Sequence, residues 1–149
     1  MKKEVEIIYK DLSYIIVGAM FEVFNELGYG YQEKHYEKAV EKIFIDKKIN
    51  YKRQLPYSII FRGEKIGVYY LDFLVENKII VELKKGDYFS RKNINQVKEY
   101  LKATGLKLAL IINFTSYGVK TLRILNPNNK ESTNTNESTN FTTNITNNK

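Results

Sequence analysis

Within YYLDFLVENKIIVELKKG, residues 69–86, three ionisable side chains are set among apolar and aromatic neighbours: Asp72, Glu82 and Lys84. Strand-like sequence is poor in Asp, Glu and Lys, and burying a charge without a partner is costly. Charges in such a place need a chemical reason. Side chains alternate along a strand, which puts Glu82 and Lys84 on one face and Leu83 on the other. Whether Asp72 joins them depends on the break at Glu76-Asn77-Lys78. A three-residue loop centred on Asn77 makes the numbers of opposed residues sum to 154 and sets Asp72 against Glu82, whereas a two-residue loop makes that sum 155. The second case turns Asp72 to the reverse face, because a one-residue slip inverts every side chain. The chemical reading therefore requires an odd-numbered loop or a compensating bulge.

On the odd register two carboxylates face each other across the ladder at ~5 Å. They repel, and one is driven towards protonation unless a cation intervenes. Lys84 offsets part of this repulsion and a divalent metal offsets more. Magnesium suits such a place: it prefers oxygen, takes only one or two protein carboxylates, and binds phosphate with its remaining positions. A metal-bound water beside a lysine generates a nucleophile, and the metal stabilises charge on a phosphate oxygen. On this reading the three charges form a phosphodiester-cleaving centre. The competing reading is an outward strand face carrying a structural ion pair. Ile79, Ile80, Val81 and Leu83 are apolar on both strand faces, which argues for a covered location.

The elements that must position these residues follow from periodicity. DLSYIIVGAMFEVFNELG carries a helical stripe at Leu12, Ile15, Ile16, Ala19, Val23 and Leu27. Asp11 is a candidate N-cap, and Gly28 stands where a C-terminal glycine belongs. After GYG, QEKHYEKAVEKIFIDKK predicts a second helix through Tyr36, Ala39, Val40, Ile43 and Phe44. The period then changes. YKRQLPYSIIF, KIGVYYLDFLV and KIIVELK are strand-like runs, separated by Arg62-Gly63-Glu64 and Glu76-Asn77-Lys78, which predicts an antiparallel meander. RKNINQVKEYLKATG reads as a helix with Ile94, Val97, Tyr100 and Leu101 inward, ended by Gly105. LKLALIINF suits a strand covered on both faces, and VKTLRIL a last strand. The fold class expected is α/β, in the order α-α-β-β-β-α-β-β around a mixed sheet.

Composition bounds the rest. The chain has 149 residues, 43% hydrophobic and 28% charged, which suits one globular domain. With no Cys there is neither a disulfide framework nor a cysteine-ligated zinc site, and a single His excludes multi-His metal sites. The start, MKKEVEIIYKDL, lacks an apolar signal-peptide region, and no apolar run reaches the ~20 residues of a membrane span. A cytoplasmic protein without a membrane partner is expected. The net charge of +7 lies in residues 1–126, since Lys130 and Lys149 balance Glu131 and Glu137. Such a surplus favours a polyanionic partner such as nucleic acid. PNNKESTNTNESTNFTTNITNNK, from Pro127, repeats ESTN and has little to bury, so residues 127–149 are expected to be a disordered tail. Its Asn136, Asn140 and Asn144 triplets would be glycosylated only in a secreted protein.

The hairpin resembles the PD-(D/E)XK nuclease core, with an Asp on one strand and Glu-x-Lys on the next, between flanking helices. GYGYQEKHYEKAV adds Gly30-x-x-Glu33-x-x-Tyr36, and the chain looks like a GxxExxY protein of that superfamily from about Lys10 to Leu125. The resemblance implies a restriction-endonuclease-like fold and a Mg²⁺- or Mn²⁺-dependent nuclease. Asp72 and Glu82 would be metal ligands, Lys84 would orient or deprotonate the attacking water, and Glu33 would add a carboxylate from across the cleft. Gln96 falls where related nucleases place a helical Gln that contacts the site. The superfamily's Pro before the Asp is Leu71 here, and a His frequent three residues before the Gln is Asn93. Glu22 is a further residue that could line the site, and Tyr36 is expected in the core. Lys85, Arg91, Lys92, Lys98 and Lys102 are candidate phosphate contacts, with DNA favoured over RNA as partner and a homodimer left open. Two other readings stand beside this one: a catalytically silent, basic nucleic-acid-binding protein on the same scaffold, and a structural protein with an ion-paired hairpin.

Overall fold

A computed structural model describes residues 6–129; the expected tail lies outside them from residue 130 onward, as do its glycosylation triplets. The elements run α1 (Lys10–Leu27), α2 (Glu33–Asp46), β1 (Tyr51–Phe61), β2 (Glu64–Val75), β3 (Ile79–Lys85), α3 (Arg91–Thr104), β4 (Leu108–Thr115) and β5 (Gly118–Leu125). This is the order read from periodicity. The five strands form one mixed sheet in the order β1-β2-β3-β4-β5. Neighbours are antiparallel except β3 and β4, which are parallel and joined through α3. No helix among the described residues is long and apolar enough to cross a membrane.

Two apolar layers sandwich the sheet. On one side α1 and α2 bury Ile16, Met20, Tyr36, Val40 and Phe44 against Phe73, Val81, Leu110 and Phe114. On the other, α3 buries Val97, Tyr100 and Leu101 against Leu71, Ile80, Ala109 and Ile111. Every residue of β4 is buried, as expected of a strand covered on both faces. Two details of α1 differ from the sequence reading. The helix starts two residues earlier than an Asp11 cap implies, after Tyr9, so Asp11 lies in the first turn and complements the dipole instead of capping. Ile15 is exposed and Met20 takes the buried place. Gly28 and Gly105 end their helices as expected.

The loop that decides the register has three residues. Glu76 and Asn77 both have left-handed φ, 52° and 55°, and Glu76 is held by an exchange with Asn50: its N–H donates to the Asn50 carbonyl, and its carboxylate accepts the Asn50 N–H, both at 2.9 Å. The resulting pairs, Phe73 with Val81, Leu74 with Ile80 and Val75 with Ile79, each sum to 154. The β1–β2 turn is one residue shorter than expected, since Glu64 already pairs with Phe61.

The meander then departs from regular alternation. Phe73 packs on the α1/α2 side, yet Leu71, two residues earlier, packs on the α3 side. Tyr51 and Leu55 divide in the same way along β1. In an extended strand i and i+2 share a face, so both strands turn over between these residues. The turning points are Asp72 and Gln54. Arg53 pairs with Phe73 and Leu55 with Leu71, while Gln54 between them has a left-handed φ of 53° and no ladder partner.

Candidate functional site

β2 and β3 part company at the two carboxylates. Their ladder ends at Phe73 and Val81, while β3 continues beside β4 to Lys85. In place of the next backbone bonds, two carboxylates reach across the gap. Glu82 Oε1 accepts the Asp72 N–H at 2.8 Å, and Asp72 Oδ2 accepts the Leu83 N–H at 2.7 Å. Each carboxylate thus satisfies a backbone donor of the opposite strand. The sequence reading had the two side chains simply opposed on one face. The register agrees, but the turn-over at Asp72 sends its side chain between the strands.

Glu82 is almost wholly buried, at 1% exposure. Its other oxygen accepts the Tyr69 hydroxyl at 2.5 Å and the Asn93 amide at 3.3 Å, and the same amide donates to the Tyr69 oxygen at 2.8 Å. An ionised carboxylate has about four acceptor positions. Three are filled here and one is left. Tyr69 stays a donor: burial, then the Glu82 charge, holds its hydroxyl far above the ordinary phenol range. Asp72 is pushed up to about 8, first by burial and then by the Glu82 charge, with the Leu83 N–H opposing and Glu37 adding to the rise. Two carboxylates this close cannot both stay ionised without a counter-charge.

Lys84 follows on β3, half-buried, beside Asn113 of β4. Among the described residues its ammonium makes no hydrogen bond or ion pair. Spacing puts it on the face of Glu82. Gln96 lies on α3 one turn after Asn93, half-buried.

Glu33 opens α2, and its carboxylate accepts the Lys85 N–H at 3.3 Å at the end of β3. The acid of α2 that adds to the rise at Asp72 is Glu37, one turn further along. It is held by Gln54 at 2.8 Å and by Arg53 at 3.1 Å, from the turned-over part of β1. Tyr36 is core: it stacks on Phe114 at 4.1 Å, and its hydroxyl donates to the Gly28 carbonyl at 2.6 Å. Glu33 and Tyr36 therefore fix the start of α2 against β3 and β4. Glu22 pairs with Lys47 at 2.6 Å. Of the candidate phosphate contacts, Arg91, Lys92, Lys98 and Lys102 are exposed along α3, Lys102 being paired with Glu99 at 3.1 Å. Lys85 points elsewhere, with its ammonium over the Tyr29 ring at 5.5 Å.

Sequence reasoning missed Tyr69 and Glu37, and gave Asn93 no role. Glu37 carried a signal, one helical turn from Glu33.

A family model described as the PD-(D/E)XK nuclease superfamily matches residues 10–124. The chain belongs to the PD-(D/E)XK nuclease superfamily. No curated protein and no solved structure matches significantly. Three helices around a five-stranded mixed sheet are consistent with the superfamily's restriction-endonuclease-like fold. Membership suggests nuclease activity and implies a nucleic-acid substrate, and PD-(D/E)XK nucleases generally use divalent metals. Among the described residues no group of three or more His, Cys, Asp or Glu is arranged to hold a metal. The acids that meet between β2 and β3 are a carboxylate pair. That fits a hard cation which takes one or two carboxylates and fills its other positions with water and phosphate. The elevated Asp72 and the buried, unpartnered Asn93 Oδ1 both suit such an occupant.

Proposed function

We propose that the protein is a Mg²⁺- or Mn²⁺-dependent nuclease hydrolysing phosphodiester bonds, with Asp72, Glu82 and Lys84 as its centre. The observation that carries this reading is the reciprocal seating of Asp72 and Glu82 where the ladder stops, with an unpartnered lysine two residues on. Asp72 and Glu82 would hold the cation, which when bound supplies water activation and neutralises phosphate charge. The Lys84 ammonium orients the attacking water and stabilises negative charge on the phosphate oxygens. As the water oxygen bonds to phosphorus, the bond to the leaving sugar oxygen breaks in line. Gln96, one turn after Asn93 on α3, would contact the substrate. Glu33 serves the centre by fixing the end of β3, through the Lys85 N–H. Arg91, Lys92 and Lys98 would follow the phosphate backbone, which neutralises charge without reading bases. The GxxExxY spacing supports that subfamily, and residues 1–126 form the nuclease domain.

The test is cleavage of labelled DNA and RNA, single- and double-stranded, with Mg²⁺ or Mn²⁺. Divalent-dependent cleavage lost in Asp72→Ala and Lys84→Ala supports the proposal. Salt-sensitive binding that survives both substitutions, with no cleavage by the parent protein, makes the chain a silent binder instead.

A further inference from the structure

Tyr69 lies three residues before Asp72 on β2. Under strict alternation it would share the face of Phe73, against α1 and α2. Because β2 turns over at Asp72, Tyr69 packs with Leu71 on the α3 side, where Glu82 and Asn93 meet it. The backbone feature that aims Asp72 into the gap thus also brings a phenol to the second carboxylate. The hydroxyl donates to Glu82 Oε2 and accepts from Asn93 Nδ2, which in turn reaches the same Oε2. The α3 N-cap holds the backbone that carries Asn93, whose main-chain N–H donates to the Ser90 hydroxyl at 3.3 Å. The opposite oxygen, Oε1, is held by the Asp72 N–H. Glu82 is clamped at both oxygens and cannot rotate.

We propose that Tyr69 and Asn93 are positioning residues that set the plane of the Glu82 carboxylate and so its affinity for a divalent cation. This rests on the reading of Asp72 and Glu82 as the cation site. Partners that hydrogen-bond a metal-ligating carboxylate fix its orientation, and losing one weakens metal binding by about 10–100-fold. A phenylalanine at residue 69 keeps the ring and removes only the hydroxyl.

The experiment is Mn²⁺ titration of the whole chain by calorimetry, without nucleic acid, alongside thermal unfolding of the metal-free protein. Tyr69→Phe and Asn93→Ala should each raise the Mn²⁺ Kd about tenfold or more. Their double mutant should show less than the summed effect, because the amide acts partly through the hydroxyl. Tyr70→Phe, on the exposed neighbour, should bind as the parent does. Should Tyr69→Phe fail to fold, the Asn93→Ala titration decides alone. A folded Tyr69→Phe or Asn93→Ala with the parent Kd overturns the positioning role and leaves the carboxylate site standing. A parent protein that binds no Mn²⁺ at millimolar concentration overturns the site itself, and this inference with it.

Discussion

The two halves of the β2–β3 hairpin are built on opposite principles. Nearest the turn, three consecutive ladder pairs join apolar residues: Phe73 with Val81, Leu74 with Ile80 and Val75 with Ile79. Their side chains fill the two cores. One residue further on, each strand carries a carboxylate, the ladder stops, and side chains take over the backbone's hydrogen bonds. The apolar half tolerates no charge and holds the register. The charged half has that register imposed on it, and so keeps two mutually repelling groups in contact. Apolar packing is concentrated in the first half and the carboxylate pair in the second.

Breaking the first half should have the largest effect on folding. Phe73 is fully buried, edge-on to Phe44 at 5.4 Å and to Tyr51 at 5.8 Å. Phe73→Ala should cost about 3–5 kcal/mol in denaturant unfolding, with cleavage lost through loss of fold. The charged half should respond in the opposite way. Lys84→Ala should lower divalent-dependent cleavage by about a hundredfold or more, as when a donor to transition-state charge is removed. Its Tm should match the parent's, because the ammonium has no partner to lose.

Proton linkage sharpens the contrast. A residue 72 carboxyl held up to about 8 in the folded protein, against about 3.9 when unfolded, keeps a proton that the unfolded chain has released. The metal-free protein therefore loses stability as pH rises from about 4 to about 8. Asp72→Asn should remove that slope and raise the metal-free Tm at pH 8 by roughly 5 °C, while abolishing cleavage. Divalent ions should stabilise the parent more at pH 8 than at pH 6, since the cation replaces the proton. Unfolding curves across this range, with and without Mg²⁺, measure both effects. The smallest effect belongs to the outer face of α3. Lys98→Ala should weaken nucleic-acid binding uniformly across sequences and reduce the salt slope by about one.

The same division explains what could be read from the sequence. The order of elements and the covered β4 follow from hydrophobic periods, which are local properties. Loop arithmetic left two registers open, and the structure takes the one that sums to 154, in which the apolar half obeys alternation. The charged half does not. Its turn-over is marked on β1 by a left-handed Gln54, a residue type that gives no warning of such a conformation. Tyr69 and Leu71, N-terminal to Asp72 on β2, therefore lie on the face opposite to the one their parity implies. Tyr69 was hidden for that reason. Glu37 was hidden because its anchors, Arg53 and Gln54, come together only through the same distortion. Asn93 stood out in the sequence only as a missing histidine, whereas its amide joins Glu82 to Tyr69.

The most direct test is to soak crystals of the protein in Mn²⁺ and locate the ion by its anomalous scattering. One strong peak is expected in the gap between β2 and β3, within bonding distance of a carboxylate oxygen from Asp72 and one from Glu82. A well-occupied crystal with no peak there, or with Mn²⁺ held only elsewhere on the surface, would contradict it.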